Sequence, residues 1–289
     1  MVAPGAMSIA DALACQHQLE SVSDTAGLDV SLLLCHVLDR PRSYLYTWPE
    51  RLLEPAQQAQ FCALLERRRT GEPVAHTLGY REFWSLPLRV NAHTLIPRPD
   101  TECLVELALS LCRNNEAGRL LDLGTGTGAL ALALASEWPR WQCWALDRSP
   151  EAAALAEQNR HALGLDNVSV AVSDWFTALD ASQPFHLIIS NPPYIDAQDP
   201  HLDQGDVRFE PASALVSPES GLADLRHIVG SSMPYLADNG YLLVEHGYQQ
   251  ASAVRTLFVS AGFVSVETHR DYGGNERMTV GQKVVQAKL

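Results

Sequence analysis

The chain has 289 residues, 46% of them apolar and 19% charged, with a formal net charge of −13. That length allows one large domain or two ordinary ones, each with a real core, and no apolar tract is long enough to span a bilayer. The acidic balance argues against bare nucleic acid as the main partner, because a phosphate backbone demands a basic face.

The opening MVAPGAMSIADALACQ has neither a basic n-region nor a sustained apolar h-region, so no signal peptide is expected and a cytoplasmic location is. Met7 is a second candidate start, with the preceding residues an extension. Six cysteines (Cys15, Cys35, Cys62, Cys103, Cys112, Cys143) are dispersed without a CxxC pair or a histidine at ligand spacing. Buried reduced thiols are expected, with no metal site.

Residues 1–73 read as a small helical bundle. The segments SIADALACQHQL, LDVSLLLCHVLDR and PAQQAQFCALLERRRTG place apolar residues at i, i+3, i+4, with Pro or Gly between them. Arg67, Arg68 and Arg69 end the last of these, where cations suit the helix dipole, so a solvated helix end is expected. Over residues 74–98 the texture changes, and the runs Tyr80 to Trp84 and Leu86 to Val90 predict a β-hairpin linker. Asp100 or Thr101 then caps a helix through ECLVELALSLC.

A domain over 99–289 follows, in which strand and helix alternate from Arg119: RLLDLG, GALALALASEW, WQCWALD, SPEAAALAEQNRHALG, VSVAVSD, FHLIISN. Such alternation predicts a parallel sheet with helices on both faces. The helix over 151–163 is expected to bury Ala152, Leu155, Ala156, Ala162 and Leu163, and Gly164 stops it. A helix near 220–236, the strand GYLLVEHG, a helix through QASAVRTLFVSAG, and strands at FVSVETH and ERMTVGQ complete the pattern.

The chemistry gathers at the ends of these strands. LLDLGTGTGALALALA is a strand, a turn carrying Gly124, Gly126 and Gly128, and a helix start, a turn that lets backbone amides approach a ligand. Asp147 ends the next strand about twenty residues on, the spacing of a carboxylate that binds ribose hydroxyls. The pair indicates a nucleotide without choosing it, since GTGTGA also fits a dinucleotide fingerprint, and a hydride-transferring oxidoreductase stays open here. The third strand ends in SDWF, where Asp174 can accept from an exocyclic amine. Trp175 either borders a purine or caps the sheet as a core aromatic.

The fourth strand, FHLII, stops in SNPPYI. Two prolines cannot continue a strand. An Asx turn or a WW-domain ligand would read the same way, but a buried strand leading to the ligand edge favours chemistry. There the Asn191 side chain and the Pro192 carbonyl offer two acceptors to one NH₂ group, Pro193 stiffens the turn, and Tyr194 can lay a ring on a planar substrate.

DLGTGTG, Asp147, SDWF and NPPY, in that order, resemble a class I S-adenosylmethionine-dependent methyltransferase of the amino-methylating type. REFWSLPLRV, LIPRPDTE, SNPPYIDAQDPHL, GDVRFEP, LLVEHG and RDYGGNER extend the resemblance to the HemK/PrmC family of protein-(glutamine-N5) methyltransferases, over nearly the whole chain. It implies a Rossmann-like domain with a mostly parallel seven-stranded sheet behind the helical bundle and hairpin. It also implies S-adenosylmethionine as cofactor and S-adenosylhomocysteine as product. Gly124, Thr125, Gly126, Thr127 and Gly128 would wrap the cofactor, Asp147 would hold its ribose, and Asp174 and Trp175 would border its adenine. Asn191, Pro192, Pro193 and Tyr194 would bind the glutamine amide of the GGQ motif in class I release factors, with Asn191, Pro192 and Tyr194 serving catalysis and Asn191 also touching the cofactor. The bundle would grip the release factor, and a monomer without direct nucleic-acid or membrane contact is expected.

A DNA adenine-N6 methyltransferase shares the NPPY chemistry but calls for a basic face. An oxidoreductase leaves NPPY unexplained, and a degenerate cofactor-binding interaction protein leaves the retained glycines, Asp147 and Asn191 unexplained.

Overall fold

The computed structural model describes residues 5–284. The chain divides into two compact units, one formed by residues up to Tyr80 together with Pro200–Phe209, the other by Arg81–Asp199 and the chain from Glu210 onward.

The first unit is helical. Its helices are Ile9–Ala14, Ala26–Leu38, Arg42–Thr47, Pro55–Arg69 and Val74–Leu78, so helix persists into the stretch expected to open the hairpin linker. Ile9, Leu33, Leu34, Leu45 and Phe61 are fully buried and form its core. Ser8 and Asp11 close a capping box at the first helix, which satisfies orphan amide donors of its first turn.

The arginine cluster that ends Pro55–Arg69 departs from expectation at one position. Arg67 and Arg69 pair with Glu72 and Glu66, but Arg68 is only 3% exposed. Its Nε donates to Asp29 Oδ2 at 2.7 Å and its Nη1 to Asp206 Oδ1 at 3.0 Å, with the Gly71 and Glu72 carbonyls also within bonding distance of Nη1. Arg68 is therefore a buried structural cation, and the local pattern misses it because both carboxylates come from distant segments. The thiols also differ: Cys103, Cys112 and Cys143 are buried, Cys15 and Cys35 half-buried, and Cys62 exposed, because Cys62 sits on the outer face of its helix.

β1 (Tyr80–Phe83), which from Arg81 onward belongs to the second unit, and β2 (Leu86–Arg89) pair through a two-residue turn. Trp84 and Ser85 both take left-handed φ, 52° and 59°, the pattern of a type I′ hairpin turn. The main sheet contains β3 (Arg119–Leu123), β4 (Gln142–Asp147), β5 (Val168–Val172), β6 (Phe185–Ser190), β7 (Leu236–Glu245), β8 (Val264–Arg270) and β9 (Glu276–Gln282), in the order β5-β4-β3-β6-β7-β9-β8. Neighbours from β5 through β7 are parallel, and β9 runs against both β7 and β8. This is the seven-stranded, mostly parallel sheet the resemblance implies.

Its central strands bury both faces, as a doubly covered sheet must. Leu120, Leu187, Ile189 and Leu243 point to one core with helices Glu102–Leu111 and Ala129–Glu137. Leu121, Ile188, Leu242 and Val244 point to the other, with Ala223–Ser231 and Ala251–Ser260. The alternation along β6 and β7 follows from the two-residue period of a strand.

Two local expectations change. In helix Pro150–Leu163, Ala162 is exposed and Leu163 half-buried, because the last turn runs past the apolar surface the helix covers. Asn159 is buried instead, its Oδ1 accepting from Arg89 N and its Nδ2 donating to the carbonyls of Arg89 and Thr127. Neither Asp100 nor Thr101 makes a side-chain cap to Glu102–Leu111; the Thr101 hydroxyl donates elsewhere, to Glu245. No helix among the described residues is long and apolar enough to cross a membrane.

Candidate functional site

Strand order reverses at β3, whose neighbours β4 and β6 lead the chain in opposite directions. Ligands of open α/β sheets bind at such a switch point, outside the carboxyl ends of the strands. A cavity lies there. Gly124, Thr125, Gly126 and Thr127 after β3, Asp147 at the end of β4, Trp175 after β5, and Asn191 and Pro193 after β6 all line it. Gly128, Asp174, Pro192 and Tyr194 do not. Asp174 is exposed, Pro192 is buried, and Tyr194 turns its hydroxyl to a carboxylate behind the turn.

The glycine turn is tied from within. Thr125 N donates to the Leu146 carbonyl and Gly128 N to the Thr125 carbonyl. Gly128, in the left-handed region at φ 87°, caps helix Ala129–Glu137. A Cβ there would sit 2.8 Å from Leu132 Cδ1, closer than real carbon contacts come. Asp147 Oδ2 accepts from Gly126 N and Oδ1 from Ser149 N, each at 2.9 Å. Each oxygen keeps lone-pair capacity for a further donor.

Trp175 lines the cavity and also packs on the core that holds Phe176. Its backbone is left-handed at φ 48°, and the Ser173 hydroxyl donates to its carbonyl.

Sequence reasoning missed three acidic or hydroxylic groups here. Asp122, 1% exposed, accepts from Thr125 Oγ1 at 2.6 Å and Ala131 N at 3.2 Å through Oδ2, while its Oδ1 is buried without a partner among the described residues. Burial pushes its carboxyl up to about 7, although the bonds from Thr125 and Ala131 oppose the shift. An acid set among the leucines of a buried strand, two positions before Gly124, was the available signal. Thr94 is also fully enclosed against the cavity, with Oγ1 unpartnered among the described residues, and no local pattern marks it. The Ile96–Arg98 stretch beside it is held by Glu210, which takes the Ile96 amide at 2.8 Å and the Arg98 guanidinium.

The third is Thr101, which receives the Asn191 side-chain Nδ2 at 3.2 Å and donates to Glu245 Oε2 at 2.8 Å. Glu245 Oε1 accepts the Tyr194 hydroxyl at 3.0 Å. Burial raises the Glu245 carboxyl above its ordinary range, and raises the Tyr194 phenol likewise.

These groups fit S-adenosylmethionine on the chain's own chemistry. An orphaned buried carboxylate oxygen suits the ammonium group of its amino-acid end, and Asp147 offers acceptors for vicinal hydroxyls.

Comparisons with known proteins agree. The PrmC N-terminal domain matches residues 14–79 and the methyltransferase small domain residues 101–222. The release factor glutamine methyltransferase of Vibrio cholerae serotype O1 is 55% identical over 91% of this chain and 92% of its own length. That of Pseudomonas aeruginosa is 56% identical over 90% and 94%. A methyltransferase from Pyrococcus furiosus, 14% identical, shares the fold with a TM-score of 0.51 over 69% of this chain and 90% of that one. By its likeness to the curated enzymes along nine-tenths of its length, the chain belongs to the release factor glutamine methyltransferase family.

Proposed function

We propose that the chain transfers a methyl group from S-adenosylmethionine to the side-chain amide nitrogen of the glutamine in the GGQ motif of class I release factors. The observation that carries this reading is the placement of Asn191, an amide at the end of β6, in the same cavity as Gly124–Thr127 and Asp147. A cofactor pocket and an amide-gripping group then share one space.

S-adenosylmethionine supplies an electrophilic methyl group. Gly124 to Thr127 would line its amino-acid and ribose side, Asp147 would take the ribose hydroxyls, Asp122 would oppose the positive charge, and Trp175 would border the adenine. Asn191 Oδ1, and the Pro192 carbonyl in the peptide bond to the cavity-lining Pro193, would each accept one N–H of the substrate amide. An amide nitrogen is a poor nucleophile because its lone pair is delocalised into the carbonyl, and two fixed acceptors turn that lone pair towards the methyl group. The same acceptors stabilise positive charge as it develops on nitrogen. The methylated amide cation is acidic enough to lose its proton without a dedicated base.

The helical unit is our candidate for gripping the release factor, since a GGQ loop alone presents little surface for specificity. The test is incubation with methyl-labelled cofactor and a release factor, with and without its GGQ glutamine replaced by alanine. Label that requires the glutamine is expected. Absence of label, or label insensitive to that residue, overturns the function.

A further inference from the structure

Asn191 can present either face of its side-chain amide to the cavity, and only one face accepts hydrogen bonds. We infer that Thr101 and Glu245 are positioning residues that fix this choice, holding the NH₂ away and leaving the carbonyl oxygen for the substrate. The inference rests on the proposed methyl transfer for its catalytic consequence, but its structural core stands by itself.

The register of the sheet brings the three side chains together. Ser190 pairs with Val244 across β6 and β7, so the next residues, Asn191 just past the end of β6 and Glu245 at the end of β7, stand side by side. Thr101 enters from the start of the helix that follows the hairpin. Thr101 and Glu245 are 5% and 4% exposed, so water does not compete for their bonds.

Proton counting then sets the direction. With Glu245 in its ionised form, which the hydroxyls of Thr101 and Tyr194 and the charge of Arg277 favour against its burial, the carboxylate only accepts, and a hydroxyl has one proton. The Thr101 proton goes to Glu245 Oε2, so the Thr101 oxygen can only accept from Asn191. Asn191 must turn its Nδ2 to Thr101, and its Oδ1 is left without a partner among the described residues. The other carboxylate oxygen takes the Tyr194 hydroxyl proton, and Arg277 Nη1 donates to the Tyr194 oxygen at 3.4 Å. One carboxylate therefore orients both ends of the Asn191–Tyr194 turn. Burying a carboxylate is costly, and an apolar residue of like size often serves stability as well, which accords with a role in orientation.

Three variants and one measurement on the unaltered protein test this. Thr101→Val keeps the shape and removes the relay; kcat for release-factor methylation is expected to fall about 10-fold, with cofactor Kd changed by less than about twofold. Thr101→Ser restores the hydroxyl and most of kcat. Glu245→Gln can donate to Thr101, freeing the Thr101 proton to bind Asn191 Oδ1 and reverse the amide, so a kcat loss of about 10²-fold is expected. By NMR, the Asn191 side-chain amide protons of the unaltered, cofactor-free protein should exchange more slowly than those of exposed asparagines, and the protection should vanish in Thr101→Val. Unprotected Asn191 protons in the unaltered protein overturn the inference, even where a variant fails to fold. So does a kcat for Thr101→Val and Glu245→Gln within about twofold of the parent. If the parent methylates no release factor, the proposed function fails while the exchange measurement still decides the orientation.

Discussion

Gly221 lies against the backbone of Tyr194 so closely that a Cβ on it would stand 2.0 Å from the Tyr194 carbonyl oxygen. Its φ of 82° is also left-handed, so a side chain is refused twice over. Gly221→Ala must displace the turn that carries Asn191. We expect a loss of about 1–3 kcal/mol in stability, read by urea unfolding. Methyl transfer should fall by at least about 10-fold, because small misplacements of a reacting group are expensive, while cofactor affinity holds. Unchanged turnover would show that the turn tolerates the shift.

Asn191 and Asp147 should separate catalysis from cofactor binding. Asn191→Ala removes a preorganised acceptor, and kcat should drop by roughly 10²- to 10³-fold with cofactor titration little altered. Asp147→Ala loses the acceptor of Gly126 N and Ser149 N, so weakened cofactor affinity should dominate. Near-normal turnover in the first, or an unchanged titration in the second, removes that residue from its role.

Asp122 gives a pH signature. Burial raises its carboxyl from 3.8 to about 7, so between those values the folded, ligand-free protein holds a proton that the unfolded chain has released. Stability from this group is present at low pH and is lost as pH rises through about 7. Three pKa units correspond to about 4 kcal/mol at most. Asp122→Asn, neutral throughout, should therefore gain about 3 kcal/mol of stability relative to the parent as pH goes from 5 to 8, since only the ~2 units between 5 and the folded value of about 7 contribute. Cofactor affinity should move the other way in the parent, rising as Asp122 ionises, and lie flat and weaker in the variant. Parallel stability curves for the two proteins would exclude the titration.

Asn159 bridges the strand β2 backbone and the glycine turn through Arg89 and Thr127. Asn159→Ala strands an amide and two carbonyls in a buried place, with an expected cost of about 2–4 kcal/mol. Denaturant melts with unchanged m-value should register it, and a change below about 0.5 kcal/mol would mean the site relaxes.

The alternating strands and helices were legible because their signals are local. The apolar runs RLLDL and FHLII, the glycines after the first and the prolines after the second are each read within a few residues. That the glycine turn, Asp147, Trp175 and Asn191 would meet followed from one rule, that ligands gather at the carboxyl ends of parallel strands. Asp174 shows the reach of that rule: it stands in the right loop, yet faces solvent outside the cavity.

What the amino-acid order determined by itself was the set of elements, the turn chemistry at their ends and the family resemblance carried by those turns. Which side chains support the site was decided by pairing between distant strands. Glu245 reads as one more residue of LLVEHG until β7 lies beside β6, and Thr101 reads as a helix cap until its hydroxyl meets that carboxylate. Arg68 reads as a solvated helix end until Asp29 and Asp206 close on it. A buried polar group takes its meaning from the partner that satisfies it, and each of these partners lies tens of residues away in sequence or further.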